Sequence, residues 1–315
     1  MKLNKYSQNI IASSSEFEKE KHYWLEKLGG DIEINSFITD HVYDESIEAK
    51  KEFYNININN QIYNRISQMA KGSDYAVYMI LLSGIQFLLS KYNNNEDIVL
   101  GIPTFKQNEK LAYVNNMLVL RNNITSDSTF KEVVKNIKFT ISEAQENQNF
   151  PLIKIAEILK LDTNSMFKTI ALLKNIQDLN VIKDIKTDIA FIFELKDNLI
   201  SLEIQYNSNL FSREYIKQIG KHLLAYYNIV SNRTDIKLKD INILDKNEEM
   251  KIESFNSNYK EIPNKTVIEF IESKVKENPY KVAIVHENNK ITYEELNNKA
   301  NQLASYLIND RKVKL

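Results

Sequence analysis

The stretch Thr187–Phe211, TDIAFIFELKDNLISLEIQYNSNLF, decides the fold. It holds two apolar runs, Ile189–Leu195 and Leu199–Tyr206, with Lys196, Asp197 and Asn198 between them. Ile, Phe and Leu at high density, bounded by polar turn residues, predict two strands joined as a hairpin. In the second run Leu202, Ile204 and Tyr206 alternate with Glu203, Gln205 and Asn207, so one face should be buried and the other should meet solvent or a partner. A helix is expected to follow from near Ser212, with Tyr215, Ile219, Leu223, Tyr226 and Ile229 facing inward.

Composition bounds the rest. A chain of 315 residues suggests two domains and has ample material for a core. Its formal net charge of -1, with Lys and Glu interspersed, implies neither nucleic acid nor an anionic membrane as partner. Without cysteine there are no disulfides and no thiolate metal site, which fits a cytoplasmic setting. The opening MKLNKYSQNIIASSS lacks the apolar core of a signal peptide. The longest apolar stretch, Tyr75–Leu89, is interrupted by Ser83, Gly84 and Gln86 and is too short to span a bilayer.

Local signals order the remaining chain. Residues 1–14 read as a polar tail, and Ser15 with Glu18 as a capping box for a helix that stops at Gly29-Gly30. An acidic, aperiodic connection leads to a strand at Phe53–Ile58 and short helical spacing at Ile62, Ile66 and Met69. Ser73 or Asp74 then caps a long apolar helix to Tyr92, and Asp97–Pro103 reads as a buried strand with a Gly/Pro stop. After the strand ending at Arg121, Ser128 or Thr129 caps a long amphipathic helix, and Pro151 sits at the first position of a short one. Lys237–Leu244 suggests a short closing strand, 245–265 a linker, and 266–315 a separate helix, hairpin and helix.

Several of these stretches resemble the condensation domains of nonribosomal peptide synthetases. The ending Tyr206-Asn207-Ser208-Asn209-Leu210-Phe211 is similar to that family's Y-N-x-x-L-F block, and residues 95–103 to its G-x-x-D-I-V-x-G-x-P stretch. Ala112–Arg121 is similar to G-x-F-V-N-T-L-x-L-R, with Asn116 at the Asn position and Ala112, Val114 and Met117 replacing Gly, Phe and Thr. Asn147–Leu152 resembles the H-Q-x-x-P-F/L turn with Asn147 in place of His, and Asn164–Asn175 the N-P-L-F block. His22–Leu28 looks like the helix in the middle of such domains. Ile291–Ala304, ITYEELNNKANQLA, resembles the opening of an adenylation (AMP-binding) domain.

The resemblance implies a chloramphenicol-acetyltransferase-like fold of class α/β, a mixed, mostly antiparallel sheet with helices, covering residues 15–244 as the C-terminal half of a condensation domain. Residues 266–315 would then be the small α/β start of an adenylation domain. It also implies work at an amide bond between carrier-protein-bound thioesters, an N-terminal condensation half as partner, and phosphopantetheine on the carriers. ATP and Mg would belong to adenylation sequence that the chain does not include. The family's H-H-x-x-x-D-G signature is absent, because none of His22, His41, His222 and His286 adjoins another. A general base must reach the proton it takes, so the isolated chain is expected to be inactive. No glycine lies in the adenylation part to form a phosphate loop.

For the site, the resemblance offers Asn116, Arg121, Gln148, Tyr206 and Asn207 as substrate-tunnel candidates. Asn116 otherwise satisfies strand-edge hydrogen bonds, Arg121 serves as an ion-pair partner, and Tyr206 and Asn207 define a turn. His222 reads as a packed helix residue, and His22 and His41 as surface positions. No metal constellation stands out. The alternative to a synthetase fragment is a non-catalytic docking platform that braces an adenylation domain or receives a carrier protein; an epimerisation domain fits less well, since adenylation-like sequence follows. A half domain standing alone would expose a large apolar patch and a free strand edge at Met117–Arg121 or Leu199–Tyr206.

Overall fold

The computed structural model describes residues 14–34, 36–41, 50–106, 114–162, 166–257 and 264–313. Most of the expected N-terminal tail, together with Ala112, Asn164 and Ser165, lies outside the described residues. The chain divides into two compact units between Lys246 and Asn247.

In the first unit the opening cap falls one residue earlier than expected. Ser14 Oγ accepts from Glu16 N (3.2 Å) over a 3-10 turn, Ser15–Phe17, and α1 (Glu18–Leu28) follows without a side-chain cap. The tighter turn spacing displaces the Ser15 capping box. Helix α1 buries Trp24 and Leu28 and ends at Gly29, with Gly30 in the left-handed region at φ 78. The connection that looked featureless holds a buried anchor: Phe37 lies edge-on to Tyr92 (5.2 Å between centroids) and 5.9 Å from Phe191.

Strand β1 (Lys51–Ile58), α2 (Asn60–Met69, capped by Asn59) and α3 (Asp74–Asn93, capped by Ser73) come next. Helix α3 is apolar on most sides because it is central; it is long and apolar enough to cross a membrane, yet most of it is buried inside the fold. Then come β2 (Asp97–Pro103), β3 (Met117–Asn123) and α4 (Phe130–Glu146), the last opened by a Thr129–Glu132 capping box. Helix α5 (Leu152–Leu159) follows Pro151, and β4 (Thr169–Leu173) precedes the hairpin of β5 (Ile189–Lys196) and β6 (Leu199–Asn207). The hairpin turns on Asp197 and Asn198, both left-handed (φ 52 and 58), which matches the twist of the strands. Ser212 caps α6 (Arg213–Val230).

The sheet order is β1-β6-β5-β4-β2-β3. Pairs β2–β4 and β4–β5 are parallel and the other three antiparallel, so the sheet is mixed and mostly antiparallel. On one face Leu100, Leu120, Ala171, Phe191, Phe193, Leu202, Ile204 and Tyr206 join the main core, and contacts with α3, α4 and α6 complete it. On the other face Met117, Ile170, Leu172, Ala190 and Ile192 pack with Ile182 in a small second cluster.

Three expectations are corrected. The run Leu199–Tyr206 is no edge: β6 lies between β1 and β5, and the edges are β1 and β3. Residues 237–244 form no strand, because Leu238 N and Lys239 N are taken by Ser128 O and Ser126 O (2.9 Å each), leaving a 3-10 turn and one isolated bridge, Thr129 to Lys237. Within the expected linker stands an exposed helix, α7 (Lys246–Asn256), formed from residues of good helix propensity without an apolar stripe to announce it. The large apolar side chains that the first unit exposes are spread over several elements, with Phe53 on β1, Phe139 on α4 and Ile153 and Ile158 on α5.

The second unit continues with α8 (Val267–Glu277), a hairpin of β7 (Val282–His286) and β8 (Asn289–Thr292), and α9 (Tyr293–Asn309). Capping boxes at Thr266–Glu269 and Thr292–Glu295 start its two amphipathic helices. Among the described residues none in this unit is buried.

Helices α3 and α6 approach closely at Gly84. A Cβ there would stand 2.6 Å from Tyr227 Cε1, and the Tyr227 hydroxyl is held by Leu81 O at 2.7 Å. Gly84→Ala is therefore expected to lower stability by about 1–3 kcal/mol in urea unfolding, through overpacking. The double variant Gly84→Ala/Tyr227→Leu should lose less than the sum of the two single losses.

Candidate functional site

Strand register places the sequence candidates. Val119, Gly101, Ile170, Ala190, Gln205 and Phe53 align as one row across all six strands. Strands β3 and β6 run in the same direction, since each is antiparallel to one of the parallel strands β2 and β5. Arg121 and Asn207 both lie two residues past the row, at one end of the sheet and on one face; Asn116 lies three residues before it, at the other end. Four strand spacings separate Arg121 from Asn207, roughly 19 Å. The sheet therefore does not gather the five candidates at a single point.

At the Asn116 end, the neighbour that the sequence reading passed over does the joining. Asn115 Nδ2 donates to Gln148 O and Phe150 O, both at 2.7 Å, and Asn115 Oδ1 accepts from Leu152 N at 2.9 Å. One amide thus holds the entry to β3 against the turn before α5, which brings the Asn116 and Gln148 backbones together. Asn116 itself accepts from Thr104 N (3.0 Å) through its carbonyl, and Trp24 Nε1 donates to Asn147 O (2.7 Å). Spacing gave no signal for Asn115, since a lone Asn before a strand reads as a turn residue.

Arg121 is fully engaged. Its guanidinium binds both Asp97 oxygens (2.7 to 3.0 Å) and reaches the carbonyls of Lys27, Gly29 and Asp31 at the C-terminus of α1. A cation there suits the helix dipole, and the planar fork makes the paired contact that a lysine could not.

Tyr206 points into the main core, where its hydroxyl donates to Glu52 Oε2 (3.2 Å). Burial raises its pKa, and the Glu52 carboxylate pushes the same way. Asn207 organises the turn that follows: its Oδ1 accepts from Asn209 N (3.1 Å), its O from Leu210 N and Phe211 N, and its own N–H reaches Asp188 O at 3.0 Å. Asp188 is partly buried beside it; desolvation raises its carboxyl pKa, and Lys168 and Lys186 pull it back. His22, His41 and His286 are exposed, whereas His222 is buried with Nδ1 2.7 Å from Tyr92 Oη. Among the described residues no group of three or more His, Asp or Glu is placed to hold a metal ion.

Known proteins agree with this architecture. The condensation-domain family profile matches residues 4–253. A mycosubtilin synthase of Bacillus subtilis is 31% identical over 307 residues, covering 93% of this chain and 12% of that protein. Gramicidin S synthase 2 of Brevibacillus brevis is 29% identical over 325 residues, covering 95% and 7%. The chain thus spans a small fraction of these relatives. Among solved structures, a four-domain nonribosomal peptide synthetase bound to AMP and glycine matches with a TM-score of 0.67 at 14% identity, over 94% of this chain and 25% of that one. The X-domain from teicoplanin biosynthesis matches with a TM-score of 0.64 at 16% identity, over 76% and 61%.

The mixed sheet, its helical cover and the profile match define an α/β protein of the condensation-domain family, to which this chain belongs. Residues 4–253 are condensation-domain sequence of the nonribosomal peptide synthetase kind.

Two measurements test the site's physics. Asn115→Ala should cost about 2 kcal/mol in chemical denaturation, because two part-buried acceptors and a donor lose their partner, while Asn116→Ala should cost under about 0.5 kcal/mol. Asp188 binds its proton more tightly in the folded chain than in the unfolded one. Stability should therefore fall as pH rises from the ordinary Asp range through the raised native value, with the penalty complete at neutral pH. Asp188→Asn is expected to raise the unfolding midpoint at neutral pH and to flatten that slope between acidic and neutral conditions.

Proposed function

We propose that the chain supplies the C-terminal half of a condensation domain, residues 15–244, that helps form an amide bond between thioesters carried on phosphopantetheine arms of peptidyl and aminoacyl carrier proteins. The observation that carries this reading is the family match along residues 4–253. Residues 245–265 connect it to residues 266–315, the opening of an adenylation domain whose nucleotide-handling part is not in this chain. A single stretch of the mycosubtilin synthase aligns with 93% of the chain, which supports that order of parts. The exposed Val267, Ile268 and Val285 of the second unit support its being a piece of a larger fold.

In this reading the adjacent histidine pair, which residues 1–315 do not contain, comes from an N-terminal condensation half. In this reading the Asn115-clamped turn and the Tyr206–Asn207 end are the parts of the tunnel wall that this half contributes. The test mixes the chain with a separately expressed N-terminal half bearing H-H-x-x-x-D-G and with loaded donor and acceptor carrier proteins, and follows products by mass spectrometry. Dipeptide should form only when both halves are present. Carrier binding without product would convert the assignment to a docking platform, and the absence of both signals would overturn both readings.

A further inference from the structure

Between the C-terminal half of α3, the middle of α6 and residues 241–244 lies a crevice of about 400 Å³, within the usual range of small-molecule sites. Phe87, Tyr92, Ile241, Ile243 and Leu244 make its apolar walls. The buried His222 lines it as well, fixed by the 2.7 Å contact of its Nδ1 with Tyr92 Oη. Phe37 and Tyr215 pack edge-on against Tyr92 from outside the crevice, so that wall is held from behind.

The charge in this crevice is one-sided. Lys91 lines it with its ammonium 5.6 Å from the Phe87 ring centroid, and among the described residues that ammonium joins no ion pair. Among the described residues no acidic side chain is in the lining. The neighbouring carboxylate, Asp245, is paired with Lys221 at 3.6 Å. An apolar cleft whose described lining carries the Lys91 ammonium and no carboxylate complements a ligand with an apolar body and a carboxylate at one end.

We propose that this crevice binds a small aromatic or branched-aliphatic carboxylate, its apolar part against Phe87, Tyr92 and Leu244 and its carboxylate at Lys91. Neither the Asn115 turn nor the Tyr206–Asn207 end contributes to its lining, and its occupancy requires no condensation activity.

The test titrates the full chain with 3-phenylpropionate and with its neutral isostere 3-phenylpropionamide, by calorimetry and ligand-observed NMR. Saturable binding of the acid with Kd below about 1 mM is expected, and roughly tenfold weaker binding of the amide. Lys91→Gln should weaken the acid by a similar factor and leave the amide unchanged, whereas Lys138→Gln on the exposed face of α4 should alter neither. Leu244→Asp, at a position that is 38% exposed, should abolish acid binding by adding a negative charge, with the circular dichroism spectrum of the variant checked against that of the parent chain. Absence of saturation up to about 10 mM, equal affinity for acid and amide, or indifference to both Lys91→Gln and Leu244→Asp would each overturn the proposal.

Discussion

The first unit depends on β5 having no solvent side. Residues 189–193 are all buried, with β4 parallel on one flank and β6 antiparallel on the other. A strand buried on both faces must have every backbone group paired, and even its far end is closed: Asn175 Oδ1 accepts from Leu195 N (2.8 Å) and Asn175 Nδ2 donates to Leu195 O (3.0 Å). The parallel pairing also requires a crossover between β4 and β5, and that crossover supplies Ile182, which covers the sheet's second face.

Around this centre, peripheral segments are tied down by single polar or aromatic residues. Arg121 ends α1, Trp24 joins α1 to the Asn147 carbonyl, Phe37 pins the connection after α1, and Asp40 accepts from Ser212 N (2.8 Å) at the start of α6. Contacts of this kind set the geometry of a junction more than they add stability. The five sequence candidates divide the same way: Arg121 secures the end of α1, Asn116 and Gln148 meet at the Asn115 clamp, and Tyr206 and Asn207 close the end of β6.

The hairpin, the long apolar helix and the capped helices were legible because their signals are local. Two dense apolar runs around Asp197-Asn198 specify β5 and β6, and Ser73 and Thr129 each announce a helix start. What escaped was non-local. Whether β6 is an edge depends on β1, more than a hundred residues upstream, and no pattern within residues 199–207 records that partner. Asn115 and Phe37 matter through contacts with residues far away in the chain, and α7 forms without the amphipathic stripe that would mark it. The broad family resemblance was readable from block motifs. The role of individual site residues was not, because Asn115 and Asn116 look alike in sequence, yet Asn115 bonds through its side-chain amide and Asn116 through its backbone carbonyl.

The pairing of Lys51 with Asn207 and of Ile58 with Ile200 has a temporal side. Roughly 150 residues separate the two strands, so at ribosomal rates of about 5–20 residues per second β1 leaves the ribosome about seven to thirty seconds before its partner exists. During that wait β1 is a strand without a sheet. Its alternation of Lys51, Phe53, Asn55 and Asn57 with Glu52, Tyr54, Ile56 and Ile58 leaves one side polar except at Phe53 and a charged start, features that discourage strands from adhering to strangers. Nascent-chain timing thus sets a demand on the composition of this edge that the finished fold no longer displays.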